Sequence, residues 1–292
     1  MKLTRIFTLV EMMFVGGALW NQSARADDTV ASPAMTPAAT ATTPAAPVVA
    51  PDPEPWQFGV IIPLWAPKID GNTTVLGHQE NTSVSFNHLR QHLDSIFSLG
   101  LDARKGKFDF YGDVGYMKFS FSQSASFPDG HVHVAAWTGL KFLVSDLGAG
   151  YTLLQTESDH PFILEGTVGV RYWYVSTPVT LSAYDNRGNE ISTSFSKPWD
   201  WADPVLGLRG SQYFTRKFHL DFAADGGGFD INHSTDWTWS ATGVLTYDFA
   251  KWFSLSAGYK ALAVDQAENK STGQNGVNLI FNGALVTATF TF

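Results

Sequence analysis

At 292 residues the chain is long enough to bury a sizeable core, and a single domain suffices because barrels run past about 200 residues without dividing. Its 19 Lys and Arg against 27 Asp and Glu give a formal charge of -8, which argues against a phosphate-binding surface, so no nucleic-acid partner is expected. The lack of cysteine excludes a disulfide framework, a Cys-based metal site, a thiol nucleophile and a lipid-bearing Cys after a signal peptide.

Residues 1–26 have the composition of a secretory signal. Lys2 and Arg5 precede an apolar stretch from Ile6 to Trp20, and Ala24-Arg25-Ala26 supplies an A-x-A cleavage site. The run from Phe7 to Met13 around Glu11 partly resembles the start of a type IV prepilin, but Ile6 replaces the processing glycine and the apolar run stops too soon for a pilin stem. Residues 27–55, dominated by Ala, Pro, Thr and Val, are expected to form an extended tether. Removal of the signal leaves 16 basic and 26 acidic residues, a charge of -10.

No later segment approaches about eighteen consecutive apolar residues, so any membrane crossing must use strands. Period-two alternation is frequent. Phe253, Leu255, Ala257, Tyr259 and Ala261 share one face while Ser254, Ser256, Gly258 and Lys260 share the other. Val168, Val170, Tyr172 and Tyr174 oppose Glu165, Thr167, Gly169 and Arg171, and Phe218, Leu220 and Phe222 oppose His219, Asp221 and Asp225. Strands are predicted near 56–66, 95–104, 107–121, 131–155, 161–178, 199–213, 217–231, 236–249, 252–265 and 276–292. The fold class is therefore all-β, a transmembrane antiparallel up-and-down barrel of about ten strands, with eight or twelve as alternatives should 131–155 break at Ser145-Asp146.

Connections alternate in length. Short turns fall at Lys105-Gly106, Glu157 to His160, Thr215-Arg216 and Ala250-Lys251, and longer loops at 67–94, 122–130, 179–198 and 266–275. Within 67–94, Phe86, Leu89 and Leu93 have helical spacing behind Ser85, a candidate cap. Aromatic girdles should mark both interfaces. Trp56 and Trp65 bracket the first strand nine residues apart, a projected rise of about 23 Å, against an apolar band of about 25 Å. Phe108, Phe218, Trp252 and Phe292 are assigned with Trp56 to the girdle at the short turns, and Trp137, Trp173, Trp199, Trp201, Trp237 and Trp239 to the other.

The wet faces carry the charges Asp113, Glu165, Arg171, Asp203, Arg209, Asp221, Asp225 and Lys260, read as a lumen network that largely plugs a narrow barrel. Counted up from the short turns, Glu165, Arg209 and Asp221 share one level; Arg171 and Asp203 share another, with Asp225 slightly lower. Gly226, Gly227 and Gly228 mark either wall curvature or a close backbone approach.

WDWADPVLGLR from Trp199 to Arg209, DGGGF from Asp225 to Phe229, GYKAL from Gly258 to Leu262 and the closing TFTF from Thr289 to Phe292 resemble the small outer-membrane β-barrels of Gram-negative bacteria, of the opacity-protein and OmpA-barrel type, over roughly residues 56–292. The resemblance implies a cell outer-membrane location, contact with outer-membrane lipid and lipopolysaccharide, and Phe290 and Phe292 as the signal presented to the barrel-assembly machinery. It implies no chemistry, because such barrels include adhesins, small pores and proteins of unassigned role.

Candidate catalytic groups are sparse. His131 and His133 share a strand face but lack a third ligand, so no metal is expected. Asp159-His160 and His233 suit turns better than an outer-membrane protease, and no GxSxG elbow occurs. No catalytic set and no cofactor are expected. The expected function is a structural or surface-contact barrel, its surface ligand unknown, or a narrow passive pore. An outer-membrane hydrolase or acyltransferase is the alternative. A soluble lipocalin-like barrel fails on polarity, since its girdled face would be greasy.

Overall fold

The computed structural model describes residues 55–292 except 76–77, 127–131, 177, 186–189, 197, 232–234 and 271–272. The signal sequence and almost all of the expected tether, with His131 and His233, lie outside the described residues. Alternating apolar and polar residues form β1 (Gln57–Val75), β2 (His78–Val84), β3 (Leu93–Lys105), β4 (Phe108–Ser126), β5 (Val132–Gln155), β6 (Phe162–Ser176), β7 (Val179–Asp185) and β8 (Glu190–Phe195). β9 (Pro198–Tyr213), β10 (Phe218–Gly228), β11 (Trp237–Ala250), β12 (Phe253–Lys270) and β13 (Gly273–Thr291) complete the sheet. One short helix, α1 (Phe86–Gln91), precedes β3.

Ten strands close into an antiparallel ring in the order β1-β3-β4-β5-β6-β9-β10-β11-β12-β13 and back to β1. Closure is by backbone. Phe58 N–H donates to the Phe292 carbonyl at 3.2 Å and Phe292 N–H to the Phe58 carbonyl at 2.8 Å, so the last residue is stitched to the first strand. β5 runs unbroken through Ser145 and Asp146, which sit opposite Val114 and Asp113 on one side and Tyr172 and Arg171 on the other.

The three strands outside the ring occupy stretches expected to be loops. β2 pairs back on β1, and β7–β8 form a hairpin on the far end of β5. β2, HQENTSV, is polar almost throughout, whereas the short β7–β8 hairpin does alternate, with Val179, Leu181 and Ala183 on the face of Ile191 and Phe195. α1 forms where helical spacing placed it, but the Ser85 side chain caps nothing; only its carbonyl accepts, from His88 N–H at 3.0 Å and Leu89 N–H at 3.1 Å.

The glycine run ends β10 by close approach. A Cβ at Gly227 would lie 2.1 Å from the Pro204 carbonyl, and Gly228 adopts φ +94°, which L side chains rarely take.

The two faces of the wall differ sharply. Outward positions carry exposed apolar groups around the ring, among them Leu64 (63% exposed), Leu147 (70%), Val168, Leu206, Leu245 and Val286. That belt far exceeds the apolar patch a soluble protein tolerates and matches a lipid-facing band. Inward positions are polar near the end bearing the termini and short turns, called here the terminal end, and apolar toward the opposite loop end. The hydrophobic core lies inside the loop-end half of the barrel, where α1 contributes Leu89.

Candidate functional site: a lumen in two layers

Near the terminal end, arginines from facing walls reach across to carboxylates. Arg104 of β3 meets Glu165 of β6 at 2.6 Å, with Asp109 of β4 at 3.9 Å. Arg209 of β9 bonds Glu165 at 2.7 Å and Asp109, and lies 3.7 Å from Asp102 of β3. Its guanidinium also stands over the Tyr111 ring at 4.9 Å. Glycine makes the room: a Cβ at Gly150 would come within 3.3 Å of Arg209 Nη2. The Arg104–Glu165, Arg209–Asp109 and Arg209–Asp102 contacts, with Glu165 and Asp109 buried, join strands that share no backbone ladder.

Beside them, Asp221 accepts from the Ser211 and Thr246 hydroxyls and faces His219 Nε2 at 3.2 Å, while Asp248 lies 3.6 Å from His219 Nδ1. Asp221 was expected to share Arg209 with Glu165. It sits instead in this histidine cluster, because the β9–β10 register sets it opposite Ser211 and sets Arg209 opposite Ala223.

Higher up, Arg171 is almost fully buried and grips Asp146 with two bonds, Nε at 2.8 Å and Nη2 at 3.0 Å. The same Nη2 reaches Asp225 of β10 at 3.0 Å, and Asp225 also accepts from Ser240. Asp203 does not join this group. It accepts from Trp173 Nε1 at 2.7 Å and from the Thr235 backbone N–H at 2.7 Å, tying β6 and β9 to the chain before β11.

Above the charges the lumen is filled by aromatic and aliphatic side chains. Trp201 stacks on Trp173 (centroids 5.7 Å), Trp173 meets Phe142 edge-on (5.8 Å), and Phe142 of β5 stacks on Phe281 of β13 (5.1 Å). β5 and β13 lie on opposite sides of the ring, so this chain of rings bridges the lumen. Met117, Phe119, Leu262, Leu279 and Leu89 fill around it.

Several aromatics expected in the girdles therefore point inward. Trp173 is wholly buried, Trp201 is stacked upon it, and Trp65 faces the lumen with Nε1 donating to the Lys260 carbonyl at 3.3 Å. The nine-residue interval between Trp56 and Trp65 is odd, and an odd interval puts two residues of a regular strand on opposite faces. Trp56, Trp237 and Trp252 are exposed, Trp137 and Trp239 half-buried, and the Trp199 side chain lies outside the described residues. Phe292 is 76% exposed and Phe290 half-buried against Trp252 and Phe253.

Asp113 and Lys260 line a cavity of about 250 Å³ between the two layers. Asp102, Arg104, Asp109 and Asp146 were not singled out from sequence, although two-residue spacing places Asp109 on the face of Asp113 and Asp102 on that of Arg104. Asp159 and His160 are exposed in a turn at the terminal end, and among the described residues no cluster of three potential metal ligands occurs.

No protein-family model matches the chain, and no curated protein sequence is similar to it. Among solved structures, the Pseudomonas putida toluene transporter TodX is 11% identical, with 83% of this chain and 91% of that one covered and a TM-score of 0.27. The translocator domain of the autotransporter NalP from Neisseria meningitidis is 9% identical (81% and 88%, TM-score 0.27), and a Pseudomonas aeruginosa FadL homologue 9% identical (80% and 90%, TM-score 0.26). The fold assignment rests on the strand pairing described above.

Proposed function

We propose that this chain is an integral outer-membrane β-barrel of the small Gram-negative type, with a sealed lumen, acting as a structural and surface-contact protein rather than as an open pore or an enzyme. The observation that carries this reading is the Phe142–Phe281 stack, which joins opposite walls above a layer of crossed ion pairs. A solute path would have to break both layers. The exposed apolar belt supports a bilayer setting, and the terminal end, with its short turns, is placed on the periplasmic side. Outer-membrane lipid would cover the belt, lipopolysaccharide would meet its loop-end rim, and the hairpins β1–β2 and β7–β8 would project from the cell. Phe290 and Phe292 would be read by the barrel-assembly machinery.

The test is location and closure. Full-length protein expressed in a Gram-negative host should fractionate with the outer membrane and migrate faster unheated than boiled, because a closed barrel resists detergent. Recovery as a detergent-free soluble monomer would contradict the proposal.

A further inference from the structure

The wall is not uniformly closed. β1 and β3 are neighbours in the ring, yet their ladder comprises only the pairs from Gln57↔Arg104 to Ile61↔Gly100. Above Ile61, β1 continues with β13 through Thr74↔Gly276, and β3 continues with β4 to Leu93↔Phe119, so the two strands part company over residues 62–69 and 93–99. Pro63 and Pro67 lie in the freed stretch of β1 and lack the N–H that a ladder needs. Helix α1 closes the top of the gap, since Leu89 is buried with Trp65, Ile69 and Leu93.

Below α1 the gap leads into the cavity of about 250 Å³. Its lining includes the outward-facing Phe97 and Leu101 as well as the inward-facing Ile61, Met117, Asp113 and Lys260, so it passes through the wall rather than lying on one side of it. The opening is apolar and faces the lipid belt; the inner end is polar. Arg104, Arg171 and Arg209 are all engaged by carboxylates, whereas Lys260, among the described residues, makes no ion pair and rests 5.6 Å from the Trp65 ring centre. Asp113 lines the same cavity from β4 without forming an ion pair with Lys260.

We infer that the β1–β3 gap is a lateral portal into a binding site for a small uncharged amphiphile, an apolar body about one aromatic ring in size carrying a single hydroxyl. A cavity of about 150 Å³ accommodates benzene, which leaves room here for a short substituent and the head group. The head must be neutral to cross hydrocarbon at low cost. A hydroxyl is both donor and acceptor, so one group can accept from the Lys260 ammonium and donate to the Asp113 carboxylate. The inference rests on the bilayer setting proposed above.

The probe is 4-ethylphenol, titrated calorimetrically into the full-length protein in phosphatidylcholine nanodiscs, with empty nanodiscs subtracted. Saturable binding is expected. Lys260→Met should weaken it by about tenfold or more, the loss of one hydrogen bond to a charged group, while leaving ethylbenzene binding unchanged. Gly115→Leu should abolish binding of both compounds with the barrel intact, because a Cβ there meets its nearest atom, Val144 Cγ1, at an ordinary 3.8 Å while the rest of the side chain fills the cavity. Binding no greater than that of empty nanodiscs, or equal binding by wild type and both variants, would overturn the inference. Heat-shifted migration of the same sample separates the two readings: intact insertion without binding refutes the site alone, and failed insertion refutes the membrane setting and the site with it.

Discussion

Trp173 donates its indole N–H to Asp203 at 2.7 Å with both side chains fully buried, and among the described residues Asp203 makes no ion pair. Among the described residues two N–H donors hold the carboxylate, Trp173 Nε1 and the Thr235 backbone. Trp173→Phe keeps a ring in the stack but deletes one donor, and should destabilise the folded barrel by about 1–3 kcal/mol. Trp173→Ala also opens a cavity in the lumen core and should cost about 3–5 kcal/mol. Urea unfolding in lipid vesicles measures both, and equal stabilities for the two variants would contradict the packing role given to the ring.

The two arginine centres differ in redundancy. Arg171 is the cation between Asp146 and Asp225, whereas Glu165 and Asp109 are approached by both Arg104 and Arg209. Arg171→Ala should therefore cost about 3–5 kcal/mol, the usual penalty for stranding buried charges, and Arg209→Ala measurably less. The same unfolding assay checks the order. A larger loss for Arg209→Ala would mean that Arg104 does not compensate.

The gap in the wall predicts a crosslinking pattern in a chain that has no native cysteine. Val60→Cys with Leu101→Cys joins two paired residues and should oxidise readily. Leu64→Cys with Phe97→Cys continues the same register beyond the last pair, where the strands have separated, and should crosslink poorly. Equal yields from the two pairs would show a closed ladder.

Phe292 contributes differently through its backbone and its ring. The backbone pairs with Phe58, but the ring is largely exposed, so Phe292→Asp should leave the stability of refolded protein within about 0.5 kcal/mol while lowering the fraction assembled in cells. Gel-shift quantification of cells and of refolded protein separates the two effects. Unchanged assembly would remove this residue from the recognition role proposed for it.

Ten strands and their short turns were legible because wall segments such as Phe253 to Ala261 alternate cleanly, and the turn residues punctuate them. The apolar upper lumen was not, because the polar alternation of the lower wall does not continue there. The signal was present in the runs Ala261 to Val264, Leu279 to Phe281 and Phe142 to Val144, where both faces are apolar and the alternation disappears, the pattern of strands buried on both sides. Charge pairing follows strand register only in part. Arg209 and Glu165 stand opposite one another in the β6–β9 ladder, as Arg171 and Asp203 also do, yet Arg171 turns to Asp146 on its other neighbour. Strand pattern fixes the face of a side chain, and rotamer and packing choose its partner.

Single-channel recording on purified protein in planar bilayers tests the sealed lumen most directly. The stack of Phe142 on Phe281 above the crossed ion pairs predicts no sustained conductance from wild type, and the appearance of a small, cation-preferring leak when Phe142→Ser and Phe281→Ser are combined, because acidic groups outnumber basic ones in the layer below. A large steady conductance from the wild-type protein would contradict the account.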